Sequence, residues 1–423
     1  MTYQDFFNKA KEKGFSKIQI VEEEGIHKYI KVIDGELDSY EDYNVLNYNI
    51  KAEKDKKTIK LETNYLDNDI IDILVLKDNS TDTFYEDEYL KERESIPRNK
   101  AKDIDISCEI KKIKDLKKLK SEYKEIDKLI SYFYEEYKNT RIISSEGVDI
   151  STDSHLCSYT VEATTSNNGE VTAFDKRILT TNKKELDFED ITKDVIEKTI
   201  LQSKREKLET KKYDIVLANN VASSIIYHLI EMLSAAGIRN KVSCLENSIN
   251  KLKFSKLLTI IEDPTNKEYP GYRLFDDEGT DTYKKTIIDE GKIKTYFYNI
   301  KEAKLANKKS TGNGYGSIRT RNMYVVPGKN EDLIKKLKDG IYITDYMGSQ
   351  GTSINATNGQ ISIQIFGFIV KDGKLIKGFV PAVLTTTIFE LLSNIEEIGS
   401  DLVFNNTACG SPSLLIKDIS IAS

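Results

Sequence analysis

Three times along this chain an acidic residue and a glycine separate two runs of alternating apolar and polar residues. They are Asp34-Gly35 in HKYIKVIDGELDSYE, Glu290-Gly291 in TIIDEGKIKTYFYN and Asp372-Gly373 in GFIVKDGKLIKGFV. Such a pair tolerates the left-handed backbone of a two-residue turn, whose twist matches that of the strands it joins. Each marks a hairpin, so antiparallel sheet is expected in both halves of the chain.

The N-terminal half mixes these strands with helical patterns. MTYQDFFNKAKEKGF reads as an amphipathic helix carrying charges throughout, not as a secretory signal. SKIQIVEEE, HKYIKVIDGELDSYE and VLNYNIKAEKDKKTIKLET read as strands, and NDIIDILVLKDNS as a short helix. Apolar residues at i, i+3 and i+4 predict one long helix over residues 108–138, CEIKKIKDLKKLKSEYKEIDKLISYFYEEYK. Strands are expected within residues 140–181, and FEDITKDVIEKTILQSKREKL reads as a second long helix.

The polar run SKREKLETKKYD (203–214) is the expected boundary between lobes, giving 1–205 and 206–423. Beyond it the texture changes to short strands and glycine turns. The fold class expected is α+β in two lobes. A sheet with long helices forms the first, and a strongly bent, mostly antiparallel sheet the second.

Charge narrows the partners. Lys+Arg 63 against Asp+Glu 69 leaves −6, with the signs interspersed, which is no footprint for nucleic acid. No apolar stretch approaches the roughly 20 residues that cross a bilayer. Cys108, Cys157, Cys244 and Cys409 stand far apart, without CxxC, which fits a reduced cytoplasm. There is no GxSxG elbow and no Walker GK[ST].

One of three histidines, His228, lies in the apolar stretch SSIIYHLIEMLSAAG. Metal ligand, catalytic base and packed ring are the three readings open to it. His228 and Glu231 are i and i+3, neighbours on a helix face, and two such residues can share a metal. A third ligand would have to come from His155, Cys244 or Cys409.

In LFDDEGT, Asp276, Asp277 and Glu278 precede Gly279. The run reads either as a turn whose carboxylates bond nearby backbone N–H groups or as the wall of a peptide cleft. Adjacent side chains on extended chain point to opposite faces, which argues against an acid–base dyad. STGNGYGS holds Thr311, Gly312, Asn313 and Gly314 in a loop that is either near a substrate path or a plain connector. ISIQIFGFIV alternates, with Ser362 and Gln364 on one face, and suits either sheet interior or edge addition of an extended peptide.

YPGYRLFDDEGT, the hairpin after it, STGNG, the stretch GIYITDYMGSQGTSINATNGQISIQIFGFIV and the ending GSPSLLIKDISI together resemble the TldD/PmbA (TldE) family, formerly called modulators of DNA gyrase. The resemblance covers the second half well and the first half by its helix–strand pattern. The family implies an α+β, two-lobed fold. Its TldD branch carries HExxxH and a cysteine near the C-terminus for zinc; its PmbA/TldE branch lacks the motif and acts as the partner.

With His228 in the first position, Leu229 and Leu233 stand where the glutamate and second histidine would be. Leucine can neither hold zinc nor take a proton from its water. Cys409 lies nearer the end than the family's ligand cysteine. The resemblance thus implies a subunit without its own zinc, with zinc in a TldD-like partner and unfolded or extended peptides as substrate. A homodimer is the expected state when isolated. The alternatives are a stand-alone metallopeptidase with relocated ligands, His228 and Glu231 among them, and a peptide-binding scaffold.

Overall fold

A computed structural model describes residues 1–77, 96, 103–167, 169–347 and 354–423. Helix α1 (Tyr3–Glu12) opens with a capping box, in which Thr2 and Asp5 each bond the other's backbone N–H. Strands β1 (Lys17–Ile33), β2 (Glu36–Lys54) and β3 (Lys57–Thr63) follow as a meander, then α2 (Asn68–Leu76). Helices α3 (Ser107–Asp115) and α4 (Lys117–Ser121) precede β4 (Lys128–Ser144), β5 (Asp149–Asn167), β6 (Glu170–Thr180) and α5 (Phe188–Gln202).

The second half begins with β7 (Arg205–Glu206), β8 (Lys211–Leu217), α6 (Asn219–Tyr227), α7 (Leu229–Met232) and α8 (Ala235–Arg239). Then come β9 (Ile260–Glu262), β10 (Lys285–Asp289), β11 (Lys292–Ile293), α9 (Ile300–Leu305), β12 (Gly314–Tyr315), β13 (Ser317–Ile318), β14 (Met323–Val325) and α10 (Leu333–Leu337). The chain continues as β15 (Gly340–Met347), β16 (Gln360–Lys371), β17 (Lys374–Phe379), β18 (Ala382–Thr387) and α11 (Ile388–Ser393). It closes with β19 (Ile395–Ile398), β20 (Val403–Phe404), β21 (Cys409–Ser411) and β22 (Leu414–Ala422).

The fold is α+β. All three acidic-Gly turns join antiparallel strands, and both residues of each have positive φ: Asp34 and Gly35, Glu290 and Gly291, Asp372 and Gly373. The predicted strands of the first meander are present, the first two runs merging into one continuous β1.

The long helix expected over 108–138 is absent. Two short helices end at Ser121, and from Lys128 the chain is β4, whose burial alternates from residue to residue. Tyr132, Phe133, Tyr134 and Tyr137 with Ile142 and Ile143 favour a pleated surface, and pairing with β1 and β5 along the whole strand overrides the helical spacing of the lysine-rich stretch before it. The second long helix expected is present as α5, at 15 residues the longest among the described residues of the first lobe.

Two sheets organise the molecule. A 12-stranded sheet runs β11-β10-β9-β14-β21-β20-β6-β5-β4-β1-β2-β3, taking strands from both halves. In the other sheet β15 bonds both β8 and β16, so β15, β8, β22, β18 and β16 close a circuit without a free edge. Strand β16 lies inside that sheet, with β15 along Gln364–Val370 on one side and β18 then β17 on the other. The glycine-rich turn at 348–353 lies outside the described residues, as do the last three residues of the NDIIDILVLKDNS run.

The largest core fills the C-terminal circuit. A second lies between β4–β5 and α5, and a third packs α1 and α2 on β1 and β2.

Candidate functional site

Two loops that are far apart in sequence are laced together by one buried carboxylate. Asp276, with no exposed surface, accepts N–H bonds from Glu278 (3.0 Å), Thr280 (2.9 Å) and Gly314 (2.7 Å). In return the Asp277 N–H donates to the Gly314 carbonyl at 3.0 Å. Burial, then the nearby Glu278 charge, push the Asp276 carboxyl well above its ordinary range, against the pull of its backbone donors. Gly279, at φ 84, lets the turn close.

Glu278 leaves the turn in the opposite direction. Its Oε2 accepts the Ile300 N–H at 2.7 Å, next to the Asn299 cap of α9, and burial raises its pKa. A Cβ at 314 would lie 2.4 Å from Glu278 Oε2 and would displace that side chain from its bond to Ile300. Gly312 is more tightly constrained: its φ is 69, and a Cβ would meet the Asp281 backbone carbonyl at 2.6 Å. Thr311 donates to Asn313 Oδ1 at 2.7 Å. Asn313, fully buried, donates to Glu262 (2.9 Å) and to the Arg319 carbonyl (2.8 Å).

Beneath this lacing is a set of buried charges that sequence reading missed. Glu262, fully buried, holds Lys285 Nζ at 2.8 Å and the Arg321 backbone N–H at 2.9 Å. The Tyr315 ring sits between the guanidinium groups of Arg273 and Arg321, 5.5 and 5.1 Å from its centroid. Arg273 also pairs with Asp277 at 2.6 Å. Arg273 lies inside YPGYRLFDDEGT, Lys285 follows Lys284 and Arg321 stands two residues after Arg319, but nothing in the local sequence marks any of them as buried.

Two cavities adjoin beside the laced loops, and Asp277 and Glu278 line the second of them. One, of about 500 Å³, lies between His228 and Glu231, the start of α9, and Arg319. The other, of about 580 Å³, lies between Asp277, Glu278 and Tyr315 on one side and Gln19, Glu23 and Lys51 of the first meander on the other. Lys60, Gly316 and Arg319 line both, so the two form one cleft. Gln19 Nε2 donates to the Asp277 carbonyl at 2.9 Å, tying the meander to the loop. Such a cleft mixes polar and apolar lining and is walled on one side by strands of the first meander, features that suit a bound peptide.

The structure brings some of the sequence-selected residues together and separates others. Asp276, Asp277, Glu278, Gly279, Thr311, Gly312, Asn313 and Gly314 converge; Asp276 faces inward, while Asp277 and Glu278 both line the cleft, because 277–278 is a turn rather than extended strand. His228 sits between α6 and α7, half-buried on the cleft wall with exposed Glu231. Burial lowers its pKa, partly offset by Glu231. Leu229 and Leu233 turn away into the largest core, each with no exposed surface.

The other ligand candidates do not join His228. Cys409 is buried on β21, its carbonyl accepting from Ser223, its thiol pushed up to about 12 by burial. Cys244 packs half-buried against the core. His155 lies on β5, beside Glu135 and Cys157. A zinc centre at His228 would need a further ligand; among the described residues no trio of His, Cys, Asp or Glu donors includes it. These residues do not fit a catalytic zinc.

The fold, with its 12-stranded sheet and closed strand circuit, superposes on that of proteins designated modulators of DNA gyrase. One from Thermotoga maritima superposes with TM-score 0.85 at 22% identity over 100% of both chains. TldE from Thermococcus kodakarensis gives 0.81 at 17% identity, over 99% of each. At these identities the likeness shows the fold.

Sequence supplies the family. Residues 210–423 match the PmbA/TldA metallopeptidase C-terminal domain and residues 95–202 its central domain; the chain belongs to the PmbA/TldD family. It is 31% identical over 220 residues to the metalloprotease PmbA homolog of Buchnera aphidicola subsp. Acyrthosiphon pisum, 51% of this chain and 47% of that protein. It is 29% identical over 222 residues to the metalloprotease TldD homolog of Buchnera aphidicola subsp. Schizaphis graminum, 50% and 45%. The chain thus spans about half the length of the curated relatives it matches. No described helix is long and apolar enough to cross a membrane.

Proposed function

We propose that this chain is a PmbA/TldE-like, non-catalytic subunit of a TldD/TldE-type zinc peptidase complex of the cytoplasm, processing unfolded peptides. The observation that supports this most is the burial of Leu229 and Leu233 beside a cleft-facing His228. Metal-assisted hydrolysis needs about three protein ligands, a bound water and a carboxylate to take the water's proton. At this helix the chain offers one imidazole and one exposed carboxylate. Zinc and bond cleavage belong to a TldD-like partner with an intact HExxxH. The cleft beside the first meander contributes a wall that holds extended peptide through backbone and polar side-chain bonds.

The test is reconstitution. Co-expressed with a TldD-like protein, the chain forms a stable heteromeric complex that cleaves an unstructured peptide, and a chelator abolishes the cleavage. Alone it leaves the peptide intact. Chelator-sensitive cleavage by the isolated chain overturns the reading, as does a partner whose activity and assembly ignore the chain.

A further inference from the structure

The antiparallel register of β4 and β5 sets Glu135 opposite Cys157, and His155 follows two residues away on the same face. His155 Nε2 lies 2.9 Å from Glu135 Oε1 and 4.0 Å from Cys157 Sγ, and the three donor atoms all lie within 4.8 Å of one another. Among the described residues this is the one such trio. Glu135 and Cys157 are buried, while His155 is half-exposed and opens the group to solvent.

The ring's hydrogen bonds point to a cation. His155 Nδ1 is 2.9 Å from the Thr181 carbonyl, so both ring nitrogens face acceptors. A neutral imidazole has a single N–H and satisfies one of them; both are satisfied by an imidazolium paired with Glu135 or by a ring that donates from Nδ1 and binds a metal through Nε2. Donation from Nδ1 to a carbonyl with Nε2 directed at a carboxylate and a thiol is how a metal-bound imidazole is oriented.

The surroundings also balance charge. Glu135 Oε2 accepts from Lys183 Nζ at 3.0 Å, and Lys183 also lies 3.5 Å from Glu109 Oε2. A divalent ion offsets the Glu135 carboxylate and a Cys157 thiolate, while Lys183 offsets Glu109.

We propose that Glu135 Oε1, His155 Nε2 and Cys157 Sγ form a binding site for a borderline-soft divalent cation of the zinc class, with water in the fourth position. One oxygen, one nitrogen and one sulfur donor favour zinc or cobalt over magnesium or calcium, which take oxygen ligands. Such a cation binds the thiolate rather than the thiol, so binding releases the Cys157 proton. The site lies on the sheet of the first half and is independent of the His228 cleft. Its role is to pin β4 and β5 together.

Full-length chain, stripped with chelator and carrying Cys108→Ser to remove an exposed thiol, is titrated with Co²⁺ and then Zn²⁺. One equivalent of Co²⁺ gives a near-ultraviolet thiolate-to-metal band that Zn²⁺ displaces. Cys157→Ser abolishes the band, His155→Gln weakens binding at least tenfold, and His228→Gln changes neither. Circular dichroism checks the folding of Cys157→Ser; should that variant unfold, His155→Gln at a half-exposed ring decides. Absence of the band, binding indifferent to His155→Gln, or loss confined to His228→Gln overturns the proposal, and none of these bears on reconstitution with a TldD-like partner.

Discussion

Asp276 anchors three backbone N–H groups and has no exposed surface itself. Asp276→Ala is expected to lower the unfolding free energy by about 3 kcal/mol or more, since each orphaned buried donor costs about 1–3 kcal/mol. Urea denaturation followed by circular dichroism measures this. Lys285→Met leaves the buried Glu262 without its cation and is expected to cost about 3–5 kcal/mol in the same measurement. His228 gives a pH signature. Its folded pKa lies below its unfolded value of about 6.5, so its contribution to stability is complete above that pH and is lost as pH falls through it. Wild-type and His228→Gln stabilities, measured from pH 8 down to pH 5, should therefore run parallel above about 6.5 and diverge below it, the wild type falling faster. Sequence reading could pick out the acidic turn and the glycines by their spacing. It could not pick out Arg273, Lys285 or Arg321, because a basic residue looks the same in sequence whether its partner is buried carboxylate or water.

At the scale of elements, turns were the most legible feature. Gly35 takes φ 83 and its Cβ would fall 2.6 Å from Lys117 Cβ and 2.9 Å from the Lys114 carbonyl. Gly147, at φ 94, has open space around it. Gly147→Ala is expected to cost about 1 kcal/mol for its left-handed backbone alone. Gly35→Ala costs that and the displacement of α4, so its melting temperature should fall further; equal losses would show that α4 moves freely away from the turn. Strand β4 was illegible for a physical reason. Apolar residues at helical spacing run from Ile110 to Ile126, and the continuous apolar-aromatic stretch that follows satisfies either period until neighbouring strands choose. The hydroxyl of Tyr159, buried in β5, bonds Ser131 on β4 at 3.1 Å and Thr192 on α5 at 2.8 Å, a link between sheet and helix that no local pattern predicts.

Across the whole molecule the two halves share a sheet and a core. Phe404 of β20 pairs with Leu179 of β6, and fully buried Phe275 packs with Val21, Ile142, Val148 and Ile150 from the first half. Thermal unfolding by calorimetry is accordingly expected as one cooperative transition, and Phe275→Ala should lower its midpoint by removing about 3–5 kcal/mol. Two separate transitions in the wild type would contradict a shared core. The sequence by itself determined the hairpins, because an acidic-Gly turn and alternating side chains are local properties of the backbone. It also determined which side chains stand at the helix of His228, and therefore which chemistry they lack. Only the tertiary structure decided that Leu229 and Leu233 face the core and His228 the cleft, that Asp276 laces two loops together, and that Glu135, His155 and Cys157 meet. Each of these depends on strand register and on which residues lose contact with water, and both are set by segments tens to hundreds of residues away.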